Sequence, residues 1–176
     1  MNISDAPLSG LKLIQPDKFD DSRGYFMKPF EKKVFAQQGI DFNIAQVNHS
    51  FNLAKGTLRG LHFQVEPFSQ DKLVFCAKGR VFDVAVDLRK SSGTYGNWFG
   101  VELSEFNNQV IYIPKGFAHG YETLEDNSEV LYYIDGEYSK ENEAGIRWND
   151  PTLAIKWPLE PTVLSDKDRN WPLFAK

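Results

Sequence analysis

One cysteine, Cys76, stands among 176 residues, so no disulfide can close within the chain and folding must rest on packing. It lies in an apolar run and reads as a small buried hydrophobe. Long apolar runs are missing too: the hydrophobic residues arrive in short alternating stretches, none long enough to cross a bilayer as a helix. The opening residues, Met1-Asn2-Ile3-Ser4-Asp5, hold no basic patch followed by an apolar one. No secretory signal is therefore expected, and the expected location is cytoplasmic. Basic residues are in the minority, 20 Lys and Arg against 24 Asp and Glu, for a net charge of −4. That argues against general nucleic-acid binding, which needs an excess of cations on one face. A small anionic ligand remains open, because two or three local arginines suffice for a pyrophosphate. Internal repeats and Pro/Gly/Ser-rich linkers are absent as well, so a single domain over residues 1–176 is expected.

What is present points to strands. Apolar residues make up 41% of the chain and aromatics 14%, which excludes disorder. The best helix signal runs from Pro29 to Gln38, with proline in the first turn and Gly39 to end it. Asn43 to Phe51 alternates, placing Gln46, Asn48 and Ser50 on one face and Val47 on the other. Thr57 to Gln64 reads as a second strand. Leu73 to Ala77 and Val81 to Leu88 flank Lys78-Gly79 as an expected hairpin. Val101 to Leu103, Val110 to Ile113 and Val130 to Ile134 complete the set. Many short strands with one or two short helices predict an all-β sandwich or barrel.

Four stretches carry side chains suited to chemistry. In Leu58-Arg59-Gly60-Leu61-His62-Phe63-Gln64, strict alternation would put Arg59 and His62 on opposite faces. A shared pocket needs an irregularity, and Gly60 is the residue type that permits a bulge or a close approach. Taken alone, His62 reads equally well as a hydrogen-bonded strand histidine. Ile113-Pro114-Lys115-Gly116-Phe117-Ala118-His119-Gly120 resembles the second motif of the cupin superfamily. The first cupin motif would need a His-x-His pair and a Glu, and His62-Phe63-Gln64 lacks the second imidazole, so no bound metal is expected. Tyr132 and Tyr133 point opposite ways on a strand, so at most one enters a pocket. Ser165 and Asp168 read as a helix-capping box; alternatively an aspartate there reaches His62 and fixes its tautomer.

Together these stretches resemble the dTDP-4-dehydrorhamnose 3,5-epimerase family, and the resemblance covers nearly the whole chain. It begins at Phe19-Asp20-Asp21-Ser22-Arg23-Gly24-Tyr25-Phe26 and continues through Gln46-Val47-Asn48-His49-Ser50 and the Leu58 to Gln64 stretch. It then runs through Lys72-Leu73-Val74, Val81 to Arg89, Ile113 to Gly120 and Trp148-Asn149-Asp150, closing at Leu164-Ser165-Asp166-Lys167-Asp168. The resemblance implies a cupin-like jelly-roll barrel, a homodimer, and a nucleotide-diphosphate sugar as substrate, with no cofactor. The substrate class it implies is a nucleotide-linked 4-keto-6-deoxyhexose, dTDP-4-keto-6-deoxyglucose being favoured.

Hydrogens at C3 and C5 of such a sugar flank a carbonyl, so removing one gives an enolate. The resemblance makes His62 the base, Asp168 its orienting partner, Lys72 the enolate stabiliser and Tyr132 the proton donor. It makes Arg23 and Arg59 the grip on the pyrophosphate. Gln46, Asn48 and His119 would hold polar groups of the ligand, and Phe19, Phe26 and Tyr138 would stack on the base or line its slot. Glu143 and Lys167 also match ligand-contacting positions.

Two departures stand out. Val47 replaces the family's usual Asp between Gln46 and Asn48, on the face turned away from both. Lys28 stands where many dTDP-specific members have Glu; an ammonium suits the N3 acceptor of cytosine better than the N3–H of thymine. A single-centre C3 or C5 epimerase on a CDP-linked sugar is therefore an alternative. Further alternatives are a metal-dependent cupin enzyme, a ketoisomerase on the same fold, and a non-catalytic sugar-nucleotide binding module.

Overall fold

The computed structural model describes residues 1–175, and most of its regular structure is short strands. In chain order these are β1 (Asn2–Asp5), β2 (Lys12–Gln15), β3 (Lys18–Asp21), β4 (Gly24–Met27), helix α1 (Lys32–Gln37) and β5 (Gln46–Asn52). Next come β6 (Thr57–Gln64), β7 (Asp71–Lys78), β8 (Arg80–Asp87), β9 (Trp98–Ser104), β10 (Val110–Ile113) and β11 (Phe117–Thr123). The last are β12 (Ser128–Asp135), β13 (Glu143–Gly145), β14 (Val163–Leu164) and helix α2 (Asp166–Asn170). One sheet has the order β1-β2-β10-β7-β12-β5, and the other β13-β6-β11-β8-β9 with β14 also on β6. All pairings are antiparallel except that of β14 with β6. Strands β3 and β4 form a two-stranded sheet of their own.

The core lies between the two large sheets. Val74, Cys76, Ile111, Ile113 and Val130 of the first sheet meet Val81, Ala85, Leu103, Phe117 and Tyr121 of the second. Each sheet is also covered on part of its outer face. Phe35 of α1, Ile40 and Phe42 pack over Leu73, Phe75, Val110 and Tyr112. Ile146 and Leu153 pack over Leu61, Val84, Val86 and Ala118. Strands buried on both faces lose the alternation of half-exposed ones, which is why β10 is apolar throughout.

The expected hairpin around Lys78-Gly79 does not form. Strand β7 pairs with β10 and β12, whereas β8 pairs with β11 and β9. Gly79, at φ 73°, turns a corner between sheets, and a Cβ there would lie 2.5 Å from the Ser128 hydroxyl. Two strands that bury one face on a common interior look alike in sequence whether they pair or oppose each other. The Pro29 to Gln38 helix is shorter than expected, because Pro29, Phe30 and Glu31 precede the first turn and Phe30 joins the aromatic cluster. The strand expected from Asn43 starts at Gln46, and its alternation holds: Gln46, Asn48 and Ser50 are half-buried, Val47 exposed.

The irregularity required in β6 is present. His62 pairs with His119 and Arg59 with Tyr121, so β6 carries one more residue than β11 across this span. The extra residue shifts Arg59 to the side that His62 occupies. Gly60 adopts φ 136°, and a Cβ there would stand 2.5 Å from the Gly120 Cα. Gly60→Ala combines a disfavoured backbone with a clash against main chain, each costing on the order of 1–3 kcal/mol. A loss of about 3 kcal/mol is expected in denaturant unfolding; a loss below about 0.5 kcal/mol would mean the contact relaxes freely.

Candidate active site

An open cleft of about 530 Å³ lies between the two large sheets. The second sheet lines one wall with Arg59, His62 and Gln64 of β6, His119 and Tyr121 of β11, and Glu143 of β13. The first sheet lines the facing wall with Asn48 of β5, Lys72 of β7 and Tyr132 of β12. The C-terminal segment closes a side with Ser165, Lys167 and Asp168.

Of the capping box only the Ser165 half forms, while the alternative reading of Asp168 as the partner of His62 holds. The Asp168 backbone N–H donates to the Ser165 hydroxyl at 3.1 Å, capping α2. Its carboxylate Oδ1 faces His62 Nε2 across a short hydrogen bond. Burial works to raise the Asp168 pKa, but bonds from His62, Ser165 and Trp171 outweigh it and hold the carboxyl below its ordinary range. Asp168 is 3% exposed, and its carboxylate orients the imidazole so that the ring nitrogen it does not hold is left for other work.

Tyr132 and Tyr133 separate as alternation requires. Tyr133 stacks on Phe75 on the outer face, with ring centroids 6.0 Å apart. Tyr132 turns into the cleft, its hydroxyl bonded to that of Ser50. Lys72 reaches the His62 carbonyl at 3.4 Å. Burial pushes its pKa down to about 8, with the charges of Asp83 and Glu143 pulling the other way. Asp83 is fully buried and accepts from His119 Nε2 at 2.8 Å, which fixes the His119 ring. Arg59 donates through Nε to Asn52 at 2.8 Å, which aims the rest of its guanidinium.

At the rim, Glu143 accepts from Lys167 at 2.5 Å and from the Tyr138 hydroxyl at 2.8 Å. Burial would raise the Glu143 pKa, but these donors and the His62 charge bring it below its usual value. Gln46 stands apart from this lining and donates to the Gly136 carbonyl at 3.0 Å.

The remaining expected ligand residues are not at this cleft within one chain. Phe19, Arg23 and Phe26 lie on the β3–β4 hairpin, with Phe19 61% and Phe26 59% exposed. Arg23 is paired with Asp21 at 2.6 Å, and Lys28 just beyond β4 with Glu31 at 3.3 Å. Local sequence does not reveal this separation, which depends on where a hairpin projects.

Several residues at or behind the cleft escaped the sequence reading. Asp83, a carboxylate inside the apolar run Val81 to Leu88, carried a usable signal, since such a group must find a buried partner. Gln64 ended a motif that was singled out, and its side chain accepts from the Ser139 N–H at 3.1 Å. Gln70, Tyr121 and Trp171 had no local mark. Among the described residues no helix is long and apolar enough to cross a membrane.

Against known proteins, the family model described as dTDP-4-dehydrorhamnose 3,5-epimerase matches residues 5–176. The chain is 47% identical over 176 residues to the Shigella flexneri protein of that name, covering 99% of this chain and 97% of that one. A crystal structure of the Bacillus anthracis enzyme with TDP and pyrophosphate bound superposes with a TM-score of 0.95 at 42% identity, covering 98% of this chain and 99% of that one. The Legionella pneumophila enzyme, in complex with dTDP-4-keto-L-rhamnose, gives a TM-score of 0.93 at 42% identity, covering 98% and 92%. The two facing sheets are thus the cupin-like jelly roll that the resemblance implied, and the chain belongs to the dTDP-4-dehydrorhamnose 3,5-epimerase family of sugar-nucleotide epimerases.

Proposed function

We propose that this chain inverts C3 and C5 of a dTDP-linked 4-keto-6-deoxyhexose, acting as a single domain over residues 1–176. One observation carries the reading: His62 on one sheet, held by Asp168 of α2, looks across a shared cleft at Tyr132 and Lys72 on the other sheet. Inversion needs a base and an acid on opposite faces of the sugar ring, and facing sheets supply opposite walls. His62 takes the proton next to the C4 carbonyl, and the C–H electron pair moves to form the enolate. The Lys72 ammonium stabilises the charge that develops on O4. Tyr132 then returns a proton to the other face. His62 gains one proton and Tyr132 loses one, so exchange with water resets the pair before the next inversion.

Arg59 holds the diphosphate, and Asn48, His119, Glu143 and Lys167 hold polar groups of the ligand. Lys28 and its Glu31 partner place both signs at one spot, and dTDP is preferred on the strength of the relatives. The working form is a homodimer. The β3–β4 hairpin of one copy brings Phe19, Arg23, Phe26 and Lys28 to the partner's cleft, where Gln46 and Tyr138 stand near the rim. The support is physical: a two-stranded hairpin is marginal on its own, and exposed aromatic and cationic side chains on it need something to cover. The edge strand β5 also exposes Val47 and Phe51 outward.

In D₂O with dTDP-4-keto-6-deoxyglucose, deuterium should enter at both C3 and C5, followed by NMR. His62→Ala should lower both rates by about 10²–10⁴-fold, while dTDP still binds. Tyr132→Phe should retain exchange and lose inversion. Full turnover by either variant would remove that residue from the chemistry.

Activity should also fall as pH rises through about 8, where Lys72 loses its charge. The sign follows from burial: the charged form persists below that value and disappears above it. Asp83→Asn removes a charge that holds the ammonium, so the basic limb should move to lower pH. A rate that stays flat to about pH 9.5 would exclude a role for the Lys72 charge.

Mixing His62→Ala with Arg23→Ala protein tests the shared cleft. If the hairpin acts on the partner's cleft, a mixed dimer has one intact site and activity returns. If it acts within its own chain, every site stays damaged and mixing restores nothing.

A further inference from the structure

Behind the dyad sits Trp171, the residue that follows α2. Its indole N–H donates to Asp168 Oδ1 at 3.3 Å, the same oxygen that faces His62 Nε2. Its ring also meets the His62 ring edge-on, with centroids 6.1 Å apart and planes at 67°. The slot for the indole exists because Gly145, paired with His62 across β13 and β6, has no side chain. A Cβ at Gly145 would lie 2.3 Å from the indole. Arg147 anchors the same segment, donating to the carbonyls of Trp171 at 3.3 Å and Pro172 at 3.0 Å. Lys167 stands 5.4 Å over the ring while paired with Glu143.

We propose that Trp171 is a positioning residue for the proton transfer, fixing the Asp168 carboxylate so that it orients the imidazole without taking its proton. This rests on the reading of His62 as the base. Without the indole the carboxylate keeps only the imidazole and the Ser165 hydroxyl, so it rotates more freely and more of its charge acts on the imidazole proton. A second donor on that oxygen fixes the rotation and shares the charge. Without it, the dyad favours the protonated imidazole more strongly, and a base that is already protonated cannot remove a sugar proton. The other charged groups facing the dyad are Lys72, Glu143, Lys167, Arg147 and, across β11, the His119–Asp83 pair. Of these, only Lys167 touches the indole, and Trp171→Phe leaves it a ring to stand over and its pairing with Glu143.

Trp171→Phe keeps a ring in the slot and removes the donor. The expected result is a kcat lower by about tenfold, with KM and dTDP affinity within about twofold. The acid limb of the rate profile should move to higher pH. A packing role alone would lower Tm and leave that limb in place; that outcome, with kcat within about twofold of the wild type, overturns the proposal. The wild-type enzyme gives a check that needs no variant. In ¹⁵N NMR the Trp171 indole N–H should titrate together with the acid limb. The Trp157 indole, which donates to the Trp148 carbonyl at 2.9 Å, should not follow it. A Trp171 resonance that is flat across the limb overturns the proposal. His62→Ala separates the two possible failures: turnover by that variant removes the base itself. An inactive His62→Ala beside a wild-type-like Trp171→Phe removes only Trp171.

Discussion

The extra residue that β6 carries opposite β11 is the constraint on which the cleft depends. A regular strand would send Arg59 and His62 to opposite faces, one into the barrel and one away from it. The shift is possible because two glycines meet at the irregularity, with Gly60 close against Gly120. From there the rest of the wall follows by register. His62 lies opposite His119 on one side and Gly145 on the other. The first neighbour brings in the buried Asp83, and the second leaves room for the indole behind Asp168.

The cleft concentrates charge in a setting where isolated charge is costly. Most of its ionisable side chains are therefore paired: His62 with Asp168, His119 with Asp83, and Lys167 with Glu143. Lys72 differs, because its ammonium bonds a backbone carbonyl while the charges of Asp83 and Glu143 act from further away. Burial without a close counter-ion lowers its hold on the proton. The same burial increases the ammonium's interaction with any negative charge that develops nearby. A lysine in strict ion pairing would be more stable and less useful to an enolate.

Much of this was legible in the sequence, because alternation along a strand is a local property. It placed Asn48 and Ser50 on one face and Val47 on the other, and it separated Tyr132 from Tyr133. The need for an irregularity at Gly60 was also local, since it followed from two residues of one strand. What failed was non-local. The pattern of Leu73 to Ala77 and Val81 to Leu88 is the same for strands that pair and strands that face each other across a core, so the Gly79 corner was read as a hairpin. Strands β1 to β4, β11, β13 and β14 lay outside the expected set, and β3 and β4 are largely exposed and lack an apolar stripe. Trp171 left no mark, because its role depends on a slot opened by Gly145, far from it in the chain.

These differences divide the molecule by function. The residues assigned to proton transfer sit on β6, β7 and β12, none of them an edge strand, and on a helix bonded to β6 through its side chain. Within each sheet ladder register fixes them, and the packed core between the sheets sets the distance across the cleft, support of the kind that holds reacting groups in place. Phe19, Arg23, Phe26 and Lys28 sit instead on or just after a hairpin that pairs only with itself. Substitutions there leave the sheets and their core untouched. On the proposed reading, a chain built in this way can change what it grips at the nucleotide while the proton-transfer residues keep their geometry, and Lys28 is the kind of departure that such an arrangement tolerates.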